Sequence, residues 1–431
     1  MKLLIDVQGA QSQSARRGIG RYTRSFVRAL LRNRRSNEII ILYNKHLAQD
    51  FIEILKKEDF VCSFVPFEAP LGTRWLDQNS EIVREKVIDD IAPDVVLLTS
   101  LFEGIGDFSV TSVKSFSIIP TAVIFYDLIP LIYKEYFFQN TIFKEWYLKK
   151  LNYLQRADLL LAISESAKQE GIKFLDFDPK KIMTISSAID KNLPFIADFD
   201  FVAKKFGITK PYILHVSACD ERKNFKGLLQ AFARLPKRLR SQYQLVFVCN
   251  AAPWQKIELL RLAKQEGIDP RDLVITGYVE DEELFSLYRH TSLFVFPSFH
   301  EGFGLPVLEA MRMGTVVIGS NTSSIPEIIA CEDALFDPFD IEQMSFAIQR
   351  ALQDQSLRKK LLQNNQTQLR KFDWDITAQK AWDALLTLPI GLQSTSQDFY
   401  ARLCASGKPN WLEKRVTSIA LANNEEAVQK V

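Results

Sequence analysis

The sequence lacks the cysteine and histidine patterns that mark disulfide-rich and zinc-binding proteins. Its five cysteines lie far apart in the chain, and its four histidines form no pair with the spacing of metal ligands. An odd number of scattered cysteines predicts reduced thiols rather than a disulfide framework. We therefore expect a protein of a reducing, cytoplasmic compartment, without a structural zinc site.

Long apolar runs and an excess of one charge are also absent. No segment approaches the ~20 consecutive apolar residues that a membrane-spanning helix needs. The chain has 54 basic and 52 acidic residues, a net charge of +2, and this balance does not predict nucleic-acid binding. The first apolar residues end at Asp6, which predicts a first strand rather than a signal peptide.

Short apolar runs alternate with helical patterns along most of the 431 residues. This alternation is typical of α/β folds, in which a parallel sheet is covered by helices on both faces. The length exceeds that of one ordinary core, so two domains are expected. The predicted strands are 2–7, 39–43, 61–65, 95–98, 121–125 and 159–163, and then 212–216, 244–248, 273–276, 293–296 and 316–318.

We predict two doubly wound domains from this pattern. The N-terminal domain covers residues 1–190, a linker covers 191–208, and the C-terminal domain with its closing helices covers 209–388. Residues 389–431 form a tail to which the sequence assigns no role. Such sheets bind ligands beyond the carboxyl ends of their strands. Two of them facing each other would enclose a cleft.

A glycine loop between a predicted strand and a predicted helix is the most informative segment. The strand ends at Pro297, Gly302 and Gly304 follow, and Pro306 stands near the first helical position, where proline is well tolerated. Glycine lets a ligand approach the backbone closely. The free amides at the start of a helix bind anions such as phosphate.

Glu309 lies in the helix after this loop, among apolar residues that predict burial. A buried carboxylate is costly unless it is hydrogen-bonded. Arg312 is the one basic residue a turn away, and a Glu309–Arg312 pair at a solvated edge is one interpretation. The other interpretation is that hydroxyl groups of a bound ligand donate hydrogen bonds to the Glu309 carboxylate.

The spacing of Glu301 and Glu309 around Gly-Phe-Gly-Leu-Pro resembles the signature of the retaining family 4 glycosyltransferases. This resemblance extends over residues 1–388 and implies the GT-B fold, in which two Rossmann-like domains face a cleft. The C-terminal domain would bind the nucleotide-sugar donor. Further segments that resemble the family lie at 17–22, 126–130, 213–216, 222–224, 277–279, 325–327 and 335–338.

The resemblance also implies roles for particular residues. Glu301, Lys223 and Arg222 would form the catalytic centre, and Glu309 would bind the ribose diol. The cations would stabilise negative charge that develops on the leaving diphosphate. The implied donor-binding residues are Gly18, Gly20, Gly277, Tyr278, Gly302, Phe303, Gly304, Leu305 and Glu309. The implied acceptor-side residues are Tyr126 and Asp127. No Asp-x-Asp motif lies in the loops that follow the predicted strands 212–216 and 293–296, so we expect no metal cofactor.

Two positions depart from the family pattern. Ser217-Ala218 replaces the usual Gly-Arg, which removes one phosphate-binding arginine. Tyr126 replaces the usual histidine, and a tyrosine hydroxyl does not act as a base near neutral pH. A front-face mechanism, in which the leaving phosphate accepts the acceptor's proton, does not need that base.

Three other functions are compatible with parts of the sequence. Residues 18–20 and 302–304 partly match a dinucleotide fingerprint, but both lack the third glycine, which disfavours a nicotinamide enzyme. Glu301 and Glu309 could be the carboxylate pair of a glycoside hydrolase, although a position within a buried helix disfavours this role for Glu309. The absence of arginine at Ala218 leaves open a non-catalytic sugar-nucleotide-binding subunit.

Within the family, residues 6–11, 17–22 and 126–130 are most similar to bacterial mannosyltransferases of surface polysaccharide assembly. That similarity implies GDP-mannose as the donor and a glycan or lipid-linked acceptor. A UDP-sugar donor remains an alternative.

A stripe of arginines predicts one further property. Arg21, Arg24, Arg28, Arg32 and Arg35 recur at spacings of three and four, which places them on one face of a helix. The stripe itself contains no acidic residue. It predicts a peripheral contact with an anionic membrane, the alternative being an ordinary solvated helix face.

Overall fold

The computed structural model describes residues 1–68, 78–190, 195–391 and 396–405. The chain divides into two compact units. The first comprises Met1–Ser186 together with Trp374–Val431, and the second comprises Ser187–Asp373. Among the described residues, no helix has the length and apolar character needed to cross a bilayer.

The first unit is built on a parallel sheet, whose described strands follow the order β3-β2-β1-β4-β5-β6-β7. These strands are β1 (Lys2–Asp6), β2 (Glu38–Asn44), β3 (Ser63–Phe67), β4 (Val95–Leu98), β5 (Thr121–Phe125), β6 (Leu159–Ala162) and β7 (Ile182–Thr184). Its helices are α1 (Gly18–Arg32), α2 (Asp50–Lys57), α3 (Gln78–Ile91), α4 (Ile129–Ile132), α5 (Lys134–Phe137), α6 (Thr141–Leu154) and α7 (Glu165–Leu175). The central strands are buried along their whole length, as expected for a sheet covered on both faces.

The second unit repeats this architecture, with the strand order β10-β9-β8-β11-β12-β13 among the described residues. Its strands are β8 (Tyr212–Val216), β9 (Gln244–Val248), β10 (Leu273–Ile275), β11 (Leu293–Phe296), β12 (Val317–Ser320) and β13 (Leu335–Phe336). Its helices are α8 (Phe199–Phe206), α9 (Phe225–Arg234), α10 (Lys237–Arg240), α11 (Pro253–Gln265), α12 (Asp281–His290), α13 (Leu305–Arg312), α14 (Ile325–Ile329), α15 (Ile341–Gln353) and α16 (Gln355–Leu369).

The predicted α/β class, with two doubly wound sheets, is therefore confirmed. Strands β7 and β13, which are three and two residues long, were not predicted from the sequence. Strands this short carry too few residues for a recognisable hydrophobic pattern. Both strands lie at an edge of their sheet, where a strand needs fewer buried apolar side chains than a central strand.

The predicted end of the C-terminal domain is wrong. Helix α17 (Trp374–Leu385) belongs to the first unit, not to the second. Its tryptophans pack on α1: the Trp374 ring lies 5.1 Å from that of Tyr22, and Trp382 Nε1 donates to the Leu30 carbonyl at 3.3 Å. The sequence shows that α17 is amphipathic but not which distant helix covers its apolar face.

The predicted linker also needs correction. Part of it forms α8, which belongs to the second unit. Residues 191–194 of the linker lie outside the described residues. Asp198 caps α8 by accepting a hydrogen bond from the Phe201 amide at 3.0 Å. A helix with its own cap and a buried Val202 is part of the domain's core.

The idea that the arginine stripe is unbalanced is wrong as well. Four of its five members pair with carboxylates supplied by α2, by the residue that follows α2 and by α17. These pairs are Arg24–Asp50, Arg28–Glu58, Arg32–Asp375 and Arg35–Asp383. Since these four cations each face an anion, the stripe offers little net charge to an anionic membrane.

Part of the predicted tail is folded onto the first unit. Helix α18 (Ser396–Ala405) packs against α3, and its Phe399 and Leu403 are buried in a cluster with Ile82, Val83 and Phe116. Arg402 Nε donates to the Phe116 carbonyl at 2.6 Å. The remaining tail positions 392–395 and 406–431 lie outside the described residues.

Truncation after Gly391 is expected to destabilise the first unit but to leave nucleotide binding intact. Removal of α18 exposes the apolar cluster on α3, and Phe399→Ala alone should cost about 3 kcal/mol. Thermal unfolding and nucleotide titration would measure the two effects. Leu386→Ala is the control, because this side chain is about half exposed. Unchanged stability after truncation, or a folded truncated protein without nucleotide affinity, would contradict the prediction.

Candidate functional site

The loops that follow β8 and β11 meet at the carboxyl edge of the second unit's sheet, because these two strands are neighbours. The turn after β8 carries Arg222 and Lys223, and the loop after β11 carries Glu301. Lys223 Nζ donates to Glu301 Oε1 at 2.5 Å. The structure thus brings together the three residues predicted to form the catalytic centre, at the edge where ligands of doubly wound sheets bind.

The Glu301 carboxyl is buried but charged at neutral pH. Burial raises its pKa, yet the nearby cations Lys223 and Arg222 outweigh that effect and hold the pKa below its usual value. The Lys223 ammonium carries three N–H donors, one of which goes to Glu301. Its other donors can serve a bound anion without breaking the ion pair.

Arg222 is held by its own loop and by the glycine loop. Its Nη1 donates to the His300 carbonyl at 2.8 Å, and its Nη2 donates to Asp220 Oδ2 at 3.2 Å. Its backbone amide donates to Asp220 Oδ1 at 2.9 Å. Each of the two site cations therefore has a carboxylate partner, and the guanidinium is fixed in place before any ligand arrives.

Asn224 connects three segments of the site. It adopts the left-handed conformation, with φ of 56°, which asparagine tolerates better than most residues. Its Nδ2 donates to the carbonyls of Pro297 and Pro338 at 3.2 and 2.9 Å. Its Oδ1 accepts from the Gly227 amide at 3.1 Å and caps α9. Asn224 belongs to the sequence motif 222–224, but that motif alone indicates no role for it.

His215 lies fully buried in β8 beneath this edge. Burial lowers the pKa of its imidazole to about 4, so the ring is neutral at physiological pH. Nδ1 lies 3.0 Å from the Val295 carbonyl, which can only accept, so Nδ1 carries the proton. Nε2 then accepts from the Ser217 hydroxyl at 2.8 Å. Ser217, one of the two departures from the family pattern, thereby anchors the turn after β8.

Gly304 is required by the fold, whatever ligand binds. Its φ is +122°, and a Cβ here would lie 2.8 Å from Ile325 Cδ1. Helix α13 begins at the next residue, Leu305, and Gly302 is buried just before it. Phe303 is buried too, with its ring 5.7 Å from that of Phe372. The predicted loop–helix junction is therefore present and rigidly packed.

Glu309 is buried in α13 and has a partner that the sequence analysis missed. The Tyr288 hydroxyl of α12 donates to Glu309 Oε2 at 2.9 Å. Sequence spacing gave no signal for this contact, since the two residues lie on separate helices. Tyr288 orients the carboxylate and leaves it further lone pairs with which to accept hydrogen bonds.

Gly277 and Tyr278 lie in the loop between β10 and α12. Tyr278 is exposed, and its hydroxyl donates to Glu280 Oε2 at 3.3 Å. The loop therefore presents an aromatic face to solvent at the same edge of the sheet. A flat base can stack on such a face.

The predicted residues of the first unit occupy the carboxyl edge of its own sheet. Gly18 begins α1 at an open position, whereas a Cβ on Gly20 would lie 2.2 Å from the Ala15 carbonyl oxygen. The Tyr126 hydroxyl donates to the Thr99 carbonyl at 3.0 Å, and burial raises its pKa well above the usual value. Asp127 Oδ1 accepts from the Ile129 amide at 3.0 Å. Tyr126 is therefore no base at neutral pH, as the sequence analysis expected.

Glu103 is a buried carboxyl at this edge that the sequence analysis did not single out. It accepts hydrogen bonds from the Ser100 and Ser14 hydroxyls at 2.7 and 3.1 Å. Burial raises the pKa of Glu103 to about 7, although these hydroxyl groups act in the opposite direction. Ser14 lies in the turn that leads into Gly18, so Glu103 holds the start of the glycine loop.

The sequence of the second unit matches a known protein family. Residues 198–368 match the family described as "Glycosyl transferases group 1", and they fall within the unit that holds the Lys223–Glu301 pair. The second unit is a group 1 glycosyltransferase domain. The predicted resemblance to glycosyltransferases is therefore confirmed.

Two curated relatives are mannosyltransferases of Escherichia coli. The chain is 36% identical to "Serotype-specific mannosyltransferase WbdA" over 417 residues, which are 92% of this chain and 49% of the relative. It is 34% identical to "O-antigen chain mannosyltransferase B" over 225 residues, which are 52% of this chain and 58% of the relative. The chain spans about half the length of the curated relatives that it matches.

A solved sucrose-phosphate synthase from Thermosynechococcus elongatus has the same fold. Its structure superposes with a TM-score of 0.66 at 19% identity, and the match covers 90% of this chain and 98% of that one. The glycosyltransferase fold of the GT-B type, predicted from the sequence, is thus confirmed.

Proposed function

We propose that this glycosyltransferase moves a mannosyl residue from GDP-mannose to a hydroxyl group of a glycan or lipid-linked acceptor, with retention of the anomeric configuration. The observation that carries the proposal is the Lys223–Glu301 pair at the carboxyl edge of a glycosyltransferase domain. The identity with mannosyltransferases over most of the chain favours mannose. A UDP-sugar donor and a non-catalytic, sugar-nucleotide-binding role are the alternatives.

In this mechanism, the second unit stabilises the leaving group. The bond between the anomeric carbon and the diphosphate oxygen breaks, and negative charge develops on the phosphates. Lys223 and Arg222 would stabilise that negative charge. Because their side chains are already held in position, they would need no reorganisation during the reaction. Amide groups at the start of α13 add further positive potential. Glu301 would bind sugar hydroxyls, and Glu309 would accept hydrogen bonds from the ribose diol.

We propose that the acceptor's proton passes to the leaving phosphate. The new bond forms between the acceptor oxygen and the anomeric carbon on the face that the diphosphate leaves, which retains the configuration. The acceptor hydroxyl loses its proton to a phosphate oxygen of the departing GDP. Tyr126 supplies no base, because its hydroxyl donates to a backbone carbonyl and its pKa is raised.

Activity is expected to persist in excess chelator. The phosphate charge would be met by Lys223, by Arg222 and by helix amides, so a divalent cation would have no required part. Initial rates with and without chelator, and after addition of Mg²⁺ or Mn²⁺, measure this directly. The side chains of Arg222 and Lys223 already face carboxylates, which offset part of their positive charge. The experiment therefore tests whether these two side chains suffice without a metal ion. Loss of turnover on chelation, with recovery on adding metal, would contradict the assignment.

A panel of nucleotide-sugars tested by thermal unfolding would identify the donor. A ligand present at 100 times its Kd stabilises the folded state by about 2.7 kcal/mol. GDP-mannose should raise the unfolding temperature more than GDP-glucose, UDP-glucose or UDP-galactose. A larger rise with a UDP-sugar would move the proposal to that donor. Donor binding without acceptor-dependent release of GDP would favour the non-catalytic alternative.

We further propose a cytoplasmic location, close to a membrane when the acceptor is lipid-linked. The cysteines, in the residues that the structure describes, are free thiols, which fits a reducing compartment. The arginine stripe on α1 gives this proposal little support, since four of its members are ion-paired. A membrane contact would need a different surface.

A further inference from the structure

Helix α11 of the second unit keeps three large apolar side chains in solvent. Trp254, Ile257 and Leu260 are 70%, 67% and 40% exposed. They recur every three residues, so they lie along one side of the helix. The opposite side, with Leu259 and Ala263, is the one buried against the domain. The exposed apolar residues therefore take no part in holding α11 to its own unit.

Basic residues are interspersed among these apolar side chains. Arg261 and Lys264 are exposed on the same side of α11, and the exposed Lys256 lies at the margin of that side, one turn before Leu260. Glu258 is the helix's one acidic residue within its bounds, and it pairs with Arg261 at 2.6 Å. Within the described ranges of the chain, Lys256 and Lys264 form no ion pair. This face therefore has a net positive charge, unlike the arginine stripe on α1.

The combination fits a lipid surface better than a protein partner. Protein interfaces are depleted in lysine, whereas here two lysines adjoin the apolar residues. At a bilayer surface, tryptophan settles at the headgroup level and aliphatic side chains enter the acyl boundary. Lysine extends its ammonium back to the headgroups while its methylene stem stays apolar. Anionic lipids attract the cations.

We propose that the exposed face of α11, formed by Trp254, Ile257 and Leu260 with Lys256, Arg261 and Lys264, docks the second unit on an anionic bilayer surface. This contact goes beyond the proposed transfer reaction and does not depend on the identity of the donor. Both attractions are needed: the apolar side chains insert, and the cations select anionic headgroups. Binding should therefore require acidic lipid and weaken as salt screens the charges.

Co-sedimentation of the full chain with vesicles tests the proposal. The vesicles consist of phosphatidylcholine alone or of phosphatidylcholine mixed with phosphatidylglycerol. We expect binding to the mixed vesicles only. The variant carrying Trp254→Ser, Ile257→Ser and Leu260→Ser should lose affinity by about tenfold or more. These residues are exposed, so the variant should fold normally, which its thermal unfolding would check.

Two further variants test whether the basic residues of α11, and not those of α1, contribute to vesicle binding. Lys256→Gln with Lys264→Gln should weaken binding and flatten its salt dependence. The matched control changes Arg24, Arg28 and Arg32 to glutamine on α1, and it should bind like the wild type because those arginines are ion-paired. The proposal is overturned if the wild type does not bind anionic vesicles, if the serine variant binds equally well, or if only the α1 control loses binding.

Discussion

Lys223→Ala is expected to lower turnover by about 10²–10³-fold, because it removes a fixed donor from the developing charge on the leaving diphosphate. The fold should survive, since Lys223 lies at the end of a short turn on the sheet's edge. Steady-state rates with a nucleotide-sugar and a mannoside acceptor would measure the loss. Thermal unfolding would show that the protein remains folded.

A lysine at the opposite edge of the same sheet is the matched control. Lys210 pairs with Asp272 at 2.5 Å, the same distance as Lys223–Glu301, but both residues lie just before the amino ends of their strands. Lys210→Ala should leave turnover almost unchanged. Equal losses for Lys210→Ala and Lys223→Ala would mean that the effect is structural and not catalytic.

Glu301→Gln should also lower turnover strongly, and the two changes should not be additive. Glutamine keeps the shape of the side chain but removes the charge that holds Lys223. Because both residues act as one unit, the double variant should lose less than the product of the two single losses. Wild-type rates in Glu301→Gln and in Glu309→Gln would refute the assignment of both carboxylates.

Arg84→Met is expected to destabilise the first unit by about 3–5 kcal/mol, because it leaves Asp6 buried without its cation. Arg84 Nε donates to Asp6 Oδ2 at 2.7 Å, and both side chains are almost inaccessible to solvent. Asp6 ends β1 and also accepts from Gln8, at the start of the segment that leads to the Gly18–Gly20 loop. Loss of the pair should therefore loosen that loop.

Hydrogen exchange measured on peptides of each unit would locate this effect. Faster exchange should appear in β1, β4 and the segment before α1, whereas the second unit should exchange as in the wild type. Arg28→Gln provides the control, since its pair with Glu58 is partly exposed and such pairs contribute about 0–1 kcal/mol. Unchanged stability of Arg84→Met would show that Asp6 finds another partner.

The hydrophobic pattern of the sequence was sufficient to predict the fold class and the edge of the sheet at which the site lies. Alternating strands and helices predict parallel sheets, and loops after neighbouring strands converge at the carboxyl edge. The contact of Lys223 with Glu301, 78 positions apart, follows from that rule once both are placed after strands. These parts of the prediction depend on local sequence alone.

The parts that failed depend on contacts between distant segments. Nothing near Glu309 in the sequence indicates its contact with Tyr288. The pairing of α17 with α1 joins residues as far as 352 positions apart. The arginine stripe looked unbalanced because its carboxylates come from other helices. Local periodicity states which face of a helix is apolar or charged, but the partner of that face is decided by the tertiary fold.

The most direct test of the central claim is the anomeric configuration of the product. GDP-mannose carries an α-linked mannose, and the protein would be incubated with it and a mannose-terminated oligosaccharide before the product's new linkage is read by NMR. We expect an α-linked mannose, formed as GDP is released, and no such product with Lys223→Ala. A β-linked product, or GDP release without transfer to any sugar acceptor, would contradict it.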